Sequence, residues 1–438
     1  LAGLQADDWP QWLGPQRDGV WRETGIRRSF PANGLPVKWR ASVGAGYSGP
    51  AVAEGRVYLT DRPTNQQKGN GGGPLDRTAT SGAERVQCFD AATGRALWSH
   101  EYPCAYNIAY PSGPRATPAV AGGRVFTLGA EGAFLCLDSQ SGKVLWARDF
   151  KRDYGVETQL WGTAASPLVD GEMVISLVGG TGHTVVAFDA ATGREVWRAL
   201  EAREPGYSSP IIVEAGGRRQ LIVWDTENLS SLDPATGRVY WSEPFKTKMG
   251  HAIATPRHQG DWLFVSAFFD GSMMVRLDPQ SPKATVAWRV KGKNENQPEG
   301  LHSLMSTPAI ERDHIYGVCG YGQLRCLKAP TGERVWETLA ATTPDGKPAR
   351  WATAFLVKHE DRHFIWNEKG DLILARLAPE GYSELFRGHL LEPTNLAGDR
   401  PVHWSHPAFA NRCLYARNDA ELICVDLADP APTAPISR

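Results

Sequence analysis

One ten-residue pattern limits what this chain can fold into more than any other feature. Leu or Phe is followed by Asp, two variable residues, Thr-Gly, three variable residues and Trp. It occurs at Phe89–Trp98, Phe188–Trp197 and Leu232–Trp241. Looser copies end at Trp146, Trp288 and Trp336, and a seventh, Tyr382 to Phe386, carries Phe386 in place of Trp. A second pattern, Ser or Thr shortly before a Pro and an apolar run, opens at Pro50, Pro118, Pro167, Pro210, Pro256, Pro308 and Pro407. An eighth opening, Trp351 to Phe355, has Ala354 where Pro is expected. Between each opening and its Trp lie short β-branched or aromatic runs separated by Gly-containing turns, which are hairpin signals. From Thr117 to Trp146 the strands read as Ala119-Val120, Val125–Leu128, Phe134–Asp138 and Val144–Trp146. A four-stranded meander of this width cannot bury both its faces alone, so neighbouring copies must cover it. Eight such units predict an all-β fold, an eight-bladed β-propeller of four-stranded antiparallel blades.

The last unit has three readable strands, Ala408–Ala410, Cys413–Ala416 and Leu422–Leu427, and no Trp strand after them. The missing strand stands at the other end of the chain, where Leu35-Pro-Val-Lys-Trp39 precedes the first unit. Pairing it into the last blade closes the ring and removes both open sheet edges. The expected organisation is a docking segment over 1–34, a propeller over 35–428 and a tail over 429–438. A Gly-rich insertion at 61–84 interrupts blade 1 as a lid or a loop at the rim. Trp9, Trp12 and Trp21 are expected to dock the first segment, with Arg17 or Asp18 as candidates to reach the centre. The six repeat Trp residues are expected to be buried between blades.

Composition excludes several partners. Net charge is −1, from 47 basic and 48 acidic residues, so bulk electrostatics gives no case for nucleic acid. No run of about 18 apolar residues occurs, so no spanning helix is predicted. A monomer is expected. Cys88, Cys136, Cys326 and Cys424 occupy the same place in the third strands of four blades and read as small buried hydrophobes. Cys413 and Cys424 are expected close together across one hairpin and are the one candidate disulfide pair. The absence of Cys-x-x-Cys argues against a zinc ribbon, a redox dithiol or covalent haem.

The innermost strand of a propeller blade begins where the chain crosses from the blade before. Side chains just ahead of the eight openings should therefore converge on one mouth of the channel. These are rich in aromatic, His and Arg residues: Tyr47, Tyr110, Arg115, Trp161, Tyr207, His251, His302, Arg350, Trp351 and His403. They are the candidate ligand-binding set. An aromatic-lined mouth with a few polar groups is the usual form of a small-molecule site. The flat rings suit sugar rings, and the two Arg suit a carboxylate or phosphate. His251, His302 and His403 are also candidate metal ligands through imidazole. No catalytic residue is assigned.

The Asp-x-x-Thr-Gly-x-x-x-Trp element resembles the repeat of the PQQ-like β-propellers, which include quinoprotein alcohol dehydrogenases and BamB-like assembly lipoproteins. Trp9–Gly19, Leu301–Pro308 and Trp404–Arg412 resemble segments of exported PQQ-like propellers of planctomycete-type bacteria. The resemblance implies an exported location, periplasmic or extracellular. It also raises pyrroloquinoline quinone (PQQ) with Ca²⁺ as a cofactor, held in that family between a Trp and a vicinal Cys-Cys disulfide. No two Cys are adjacent here, and the calcium ligands are not placed by motif, so quinone binding is not expected. The leading reading is an exported propeller that binds a small ligand, anionic carbohydrate preferred, or a protein partner. The alternatives are a carbohydrate-active lyase using the same face, a PQQ-dependent oxidoreductase and a BamB-like assembly scaffold.

Overall fold

The computed structural model describes residues 7–63 and 74–430. The Gly-rich run 69–73 and most of the C-terminal tail lie outside them.

The repeat is a stapling device. Asp90 Oδ1 accepts from the backbone N–H groups of Ala92 and Thr93 and from the Thr93 hydroxyl, at 3.1, 2.9 and 2.8 Å. The next residue, Gly94, sits at φ 73°, the left-handed region that glycine enters without strain. Asp138 and Asp189 organise their turns in the same way. One residue ahead of each Trp, and ahead of Phe386 in blade 7, the outer strand carries a β-bulge. The pairing register shifts between Cys88 and Phe89, between Cys136 and Leu137, and at the same place in the other six blades.

A bulge re-aims the side chain that follows it. In most blades the Trp is thereby laid on the turn of the next blade. The indole N–H of Trp98 donates to Ser139 O, that of Trp146 to Ala190 O and that of Trp197 to Pro234 O, each at 3.0 Å. Trp288 and Trp336 repeat the contact with Ala329 O and Ala378 O at 2.8 Å. Trp241 breaks the rule. The turn it would cover runs Asp278 to Lys283 with Pro282 in the glycine's place, and its N–H turns back to Gln220 Oε1 of its own blade at 3.1 Å. Trp146 and Trp197 are buried, whereas Trp98, Trp241, Trp288 and Trp336 are only half-buried. The expectation of uniform burial is corrected: the outer strand lies on the circumference, so one edge of the ring stays in solvent.

Eight four-stranded antiparallel sheets form, and the last takes Val37–Ser42 as its outer strand, with Trp39 opposite Cys424. Trp39 donates to Ala91 O of blade 1 at 3.0 Å, so the staple runs through the closure. The inner strands are Ala51–Ala53, Ala119–Ala121, Leu168–Asp170, Ile211–Ala215, Arg257–Gln259, Ala309–Glu311, Ala354–His359 and Ala408–Ala410. All seven Cys are buried free thiols.

The N-terminal segment runs through the channel. Trp9 exchanges two backbone hydrogen bonds of 2.8 Å with Val52 of blade 1, and Pro10 O accepts from Val120 N of blade 2 at 2.8 Å. The Arg17 guanidinium donates to Ser166 O and Pro167 O at the head of blade 3, at 3.2 and 2.8 Å. Arg257 of blade 5 donates to Arg17 O at 3.2 Å and to Asp18 O. Gly19 and Trp21 pair with the backbone of Lys358 in blade 7. Trp9 and Trp21 are each 2% exposed. The segment thus ties inner strands of five blades together and closes the channel from within.

Candidate functional site

Above this plug a cavity of about 290 Å³ opens on the face of the blade crossings. Its register follows from the openings. The residue three positions before each opening is Tyr47, Arg115, Ala164, Tyr207, Ile253, Met305, Trp351 and Trp404 in turn. All eight line the cavity. The same position therefore faces the cavity in all eight crossings, although Trp351 alone of the eight does so from a left-handed backbone. The plug supplies Trp12, whose indole N–H donates to Thr255 Oγ1 at 2.8 Å. Pro74 and Leu75 come from the blade 1 insertion, and Pro74 O accepts from Trp161 Nε1 at 3.0 Å.

Of the ten residues picked from the sequence, Tyr47, Tyr110, Arg115, Trp161, Tyr207, His251, Arg350 and Trp351 line the cup. His302 and His403 do not. His302 is buried with Nδ1 on Phe268 O at 2.8 Å. His403, 3% exposed, accepts from Trp366 Nε1 at 2.9 Å and contacts Arg417 O. Both imidazoles latch crossings to blades, so the three-histidine metal set is corrected. Among the described residues, no three His, Cys, Asp or Glu side chains come together as a metal site. Arg17 binds carbonyls beneath the cup. Sequence reasoning missed Trp12, Met249, Phe269, Leu304 and His406, and left out Trp404, which stands beside His403.

Aromatic rings set the electrostatics. His251 is sandwiched between Trp161, 4.9 Å away, and Phe269, 5.0 Å away and nearly parallel. Burial pushes its pKa down to about 4; Asp270 opposes that and Arg350 adds to it. The ring is therefore neutral at pH 7. His406, packed against Trp12 and Phe355, is held at about 4 by burial as well. Burial raises the phenols of Tyr47, Tyr110 and Tyr207 above their ordinary value, so they stay protonated.

The two Arg differ. Arg350 is paired with Glu295 at 2.6 Å and lies over the Trp351 ring. Arg115 donates to Gly113 O, Ala109 O and Tyr110 O and sits 5.0 Å from the Tyr47 ring centre. Three of its five N–H donors are thereby used, and its charge meets no carboxylate among the described residues. The expected pair of free cations is reduced to one.

Three of the eleven described non-glycine residues with positive φ lie here. Tyr110, Met249 and Trp351 line the cup at φ 52°, 58° and 66°, a region that bulky residues rarely occupy.

The donor set does not fit a calcium-bound quinone. Among the described residues the lining holds no carboxylate, no carboxamide and no cysteine, while Ca²⁺ takes six to eight oxygen ligands.

The sequence matches the family described as outer membrane protein assembly factor BamB over residues 82–215 and 181–431. It is 24% identical over 233 residues to outer membrane protein assembly factor BamB of Shewanella oneidensis, covering 51% of this chain and 56% of that one. It is 30% identical over 163 residues to the dehydrogenase subunit of the quinone alcohol dehydrogenase of Komagataeibacter europaeus, covering 34% of this chain and 22% of that one. The matched stretch thus spans less than two thirds of either relative. Among solved structures, BamB from Moraxella catarrhalis superposes with a TM-score of 0.54 at 14% identity, covering 90% of this chain and 99% of that one. Quinohemoprotein alcohol dehydrogenase from Comamonas testosteroni gives 0.60 at 12% identity, covering 100% and 83%. At these identities the likeness is one of fold.

Proposed function

This chain belongs to the family described as outer membrane protein assembly factor BamB, and on that premise we propose that it is a non-redox binding propeller. Its crossing-face cup receives a small ligand or a segment of a partner protein. The observation that carries this reading is the convergence of all eight crossings on one aromatic cup lined from below by Trp12 of the N-terminal segment. Packing alone is served by Leu or Val at such positions, and it does not require Tyr110, Met249 and Trp351 to hold left-handed backbone conformations. A redox role has no support in the donor set of the lining. A lyase role finds no suitable base among the described lining residues, since the phenols are held protonated and His251 and His406 are weak bases at about pKa 4. An exported location fits, because the BamB relative is named as an outer membrane protein assembly factor. No helix among the described residues is long and apolar enough to cross a membrane.

The test uses anilinonaphthalene sulfonate, a flat apolar anion, as a probe. It should bind saturably at one site per chain. Binding should be lost in Trp161→Ala and Arg115→Ala and kept in Arg203→Ala, a change at an exposed residue outside the lining. Probe binding that ignores both cup substitutions overturns the proposal.

A further inference from the structure

The lining also says what kind of occupant the cup suits, an inference that rests on the reading above. Three observations bear on it. First, the volume of about 290 Å³ lies at the low end of the roughly 300–1,000 Å³ of drug-sized sites, enough for one large side chain. Second, among the described residues the walls hold no Asp, Glu, Asn or Gln, the planar polar groups that hydrogen-bond a sugar's hydroxyls. The anionic saccharide favoured from the sequence therefore loses its support. Third, the apolar surface does not stop at the pit. Leu75 is 53% exposed and Met249 39% exposed at its edge. A molecule wholly inside the pit leaves both in water, whereas a chain lying across the face covers them. Met is suited to such adaptable contact.

The charge is one-sided. Arg115 carries the one cationic charge of the lining that lacks a carboxylate among the described residues, with two N–H donors still to place. Arg350 is neutralised by Glu295. A complementary occupant brings one carboxylate to the Arg115 side and an aromatic body to the Trp161–His251–Phe269 stack.

We propose that the cup receives an extended segment of a partner protein that seats one aromatic side chain in the pit and places a neighbouring acidic side chain on Arg115. Arg115 is then a specificity determinant and the stack is the anchor.

The experiment uses the full chain and three fluorescein-labelled Gly/Ser hexapeptides whose central pair is Asp-Phe, Asn-Phe or Asp-Ala, read by anisotropy. Asp-Phe should bind saturably and displace the naphthalene sulfonate. Replacing Asp by Asn should weaken binding about tenfold, the worth of one charge-assisted hydrogen bond. Asp-Ala should not bind measurably. Arg115→Ala should bring Asp-Phe down to the Asn-Phe level without changing Asn-Phe, and Arg115→Lys should restore part of the difference. Equal binding of the three peptides, or equal loss of Asp-Phe and Asn-Phe in Arg115→Ala, overturns the inference. If free N-acetyl-phenylalanine displaces the dye as tightly as the peptide, the occupant is a small molecule. The inference then fails while the cup remains a binding site. Dye binding without any peptide binding has the same meaning, whereas failure of dye and peptides together removes the proposed function as well.

Discussion

Trp98 lies on Gly142: a Cβ built on that glycine would stand 2.4 Å from Cε3 of the indole. Gly142 also holds φ 71°. Two separate requirements, a left-handed backbone and an absent side chain, therefore meet at one residue. Gly142→Ala should cost about 2–3 kcal/mol from overpacking and strain together. Gly155 provides the comparison, with φ 66° and open space where its Cβ would stand. Gly155→Ala should cost only about 1 kcal/mol. Urea denaturation of the two variants separates the contact from the backbone strain, and equal losses would show that the indole yields freely.

The stapling Trp residues should not be equivalent. Trp146 is buried and bridges two blades through Ala190 O, so Trp146→Ala should cost about 3–5 kcal/mol. Trp241 is half-buried and bonds within its own blade, so its loss removes no hydrogen bond between blades. Trp241→Ala should cost about half as much. A denaturation series that ranks them in reverse would contradict the role given to the staple.

The repeat made the ring legible because its letters are the staple itself: Asp closes the turn, Gly clears a place and Trp fills it from the blade before. The closure was legible for the same reason, since Trp39 stands in the missing slot. The cup was legible by composition and less so by register. Residue type alone selected His403, but the side chain facing the axis belongs to its neighbour Trp404, and His403 points back to Trp366 and Arg417. Counting three residues back from each opening separates the two and also finds Ala164, Ile253 and Met305. Trp12 and the pairing of Arg350 with Glu295 were not legible. Both depend on where a distant segment docks, which no local pattern encodes.

The plug should be a structural element and the floor of the site at once. Deleting residues 1–34 leaves the closing strand Val37–Ser42 in place but removes the carbonyls of Arg17 and Asp18 that Arg257 binds. It also removes the buried Trp9 and Trp21 and exposes the inner-strand surface they cover, each worth about 2–3 kcal/mol. The truncated chain should melt well below the full one and lose one-to-one dye binding, because Trp12 no longer closes the cup. Unchanged melting with unchanged dye binding would show that the segment only rests on the ring.

The pH dependence draws on the buried imidazoles, of which three are shifted furthest. Burial holds His251, His403 and His406 each at about 4, against about 6.5 in an unfolded chain. Between these values the unfolded chain binds protons that the folded one refuses, so stability rises with pH there. Stability should therefore be full above about pH 7 and fall as the pH drops toward about 4, with these three contributing up to about three protons to the slope and His100, His258, His302 and His359, also lowered by burial, adding to it. The turn carboxylates act in a separate window. Hydrogen bonds from Thr93, Ser141 and Thr192 hold Asp90, Asp138 and Asp189 below the ordinary aspartate value, so their contribution is lost only at lower pH. Protonated His403 would set a proton against the Trp366 N–H that Nδ1 now accepts, beside the Arg417 cation. His251 lies between two rings and makes no such bond, so His251→Gln should preserve the fold and reduce the slope by about one proton. Urea denaturation at pH 7, 6 and 5 reads this directly. A flat stability profile across that range would show that the imidazoles are solvated rather than buried.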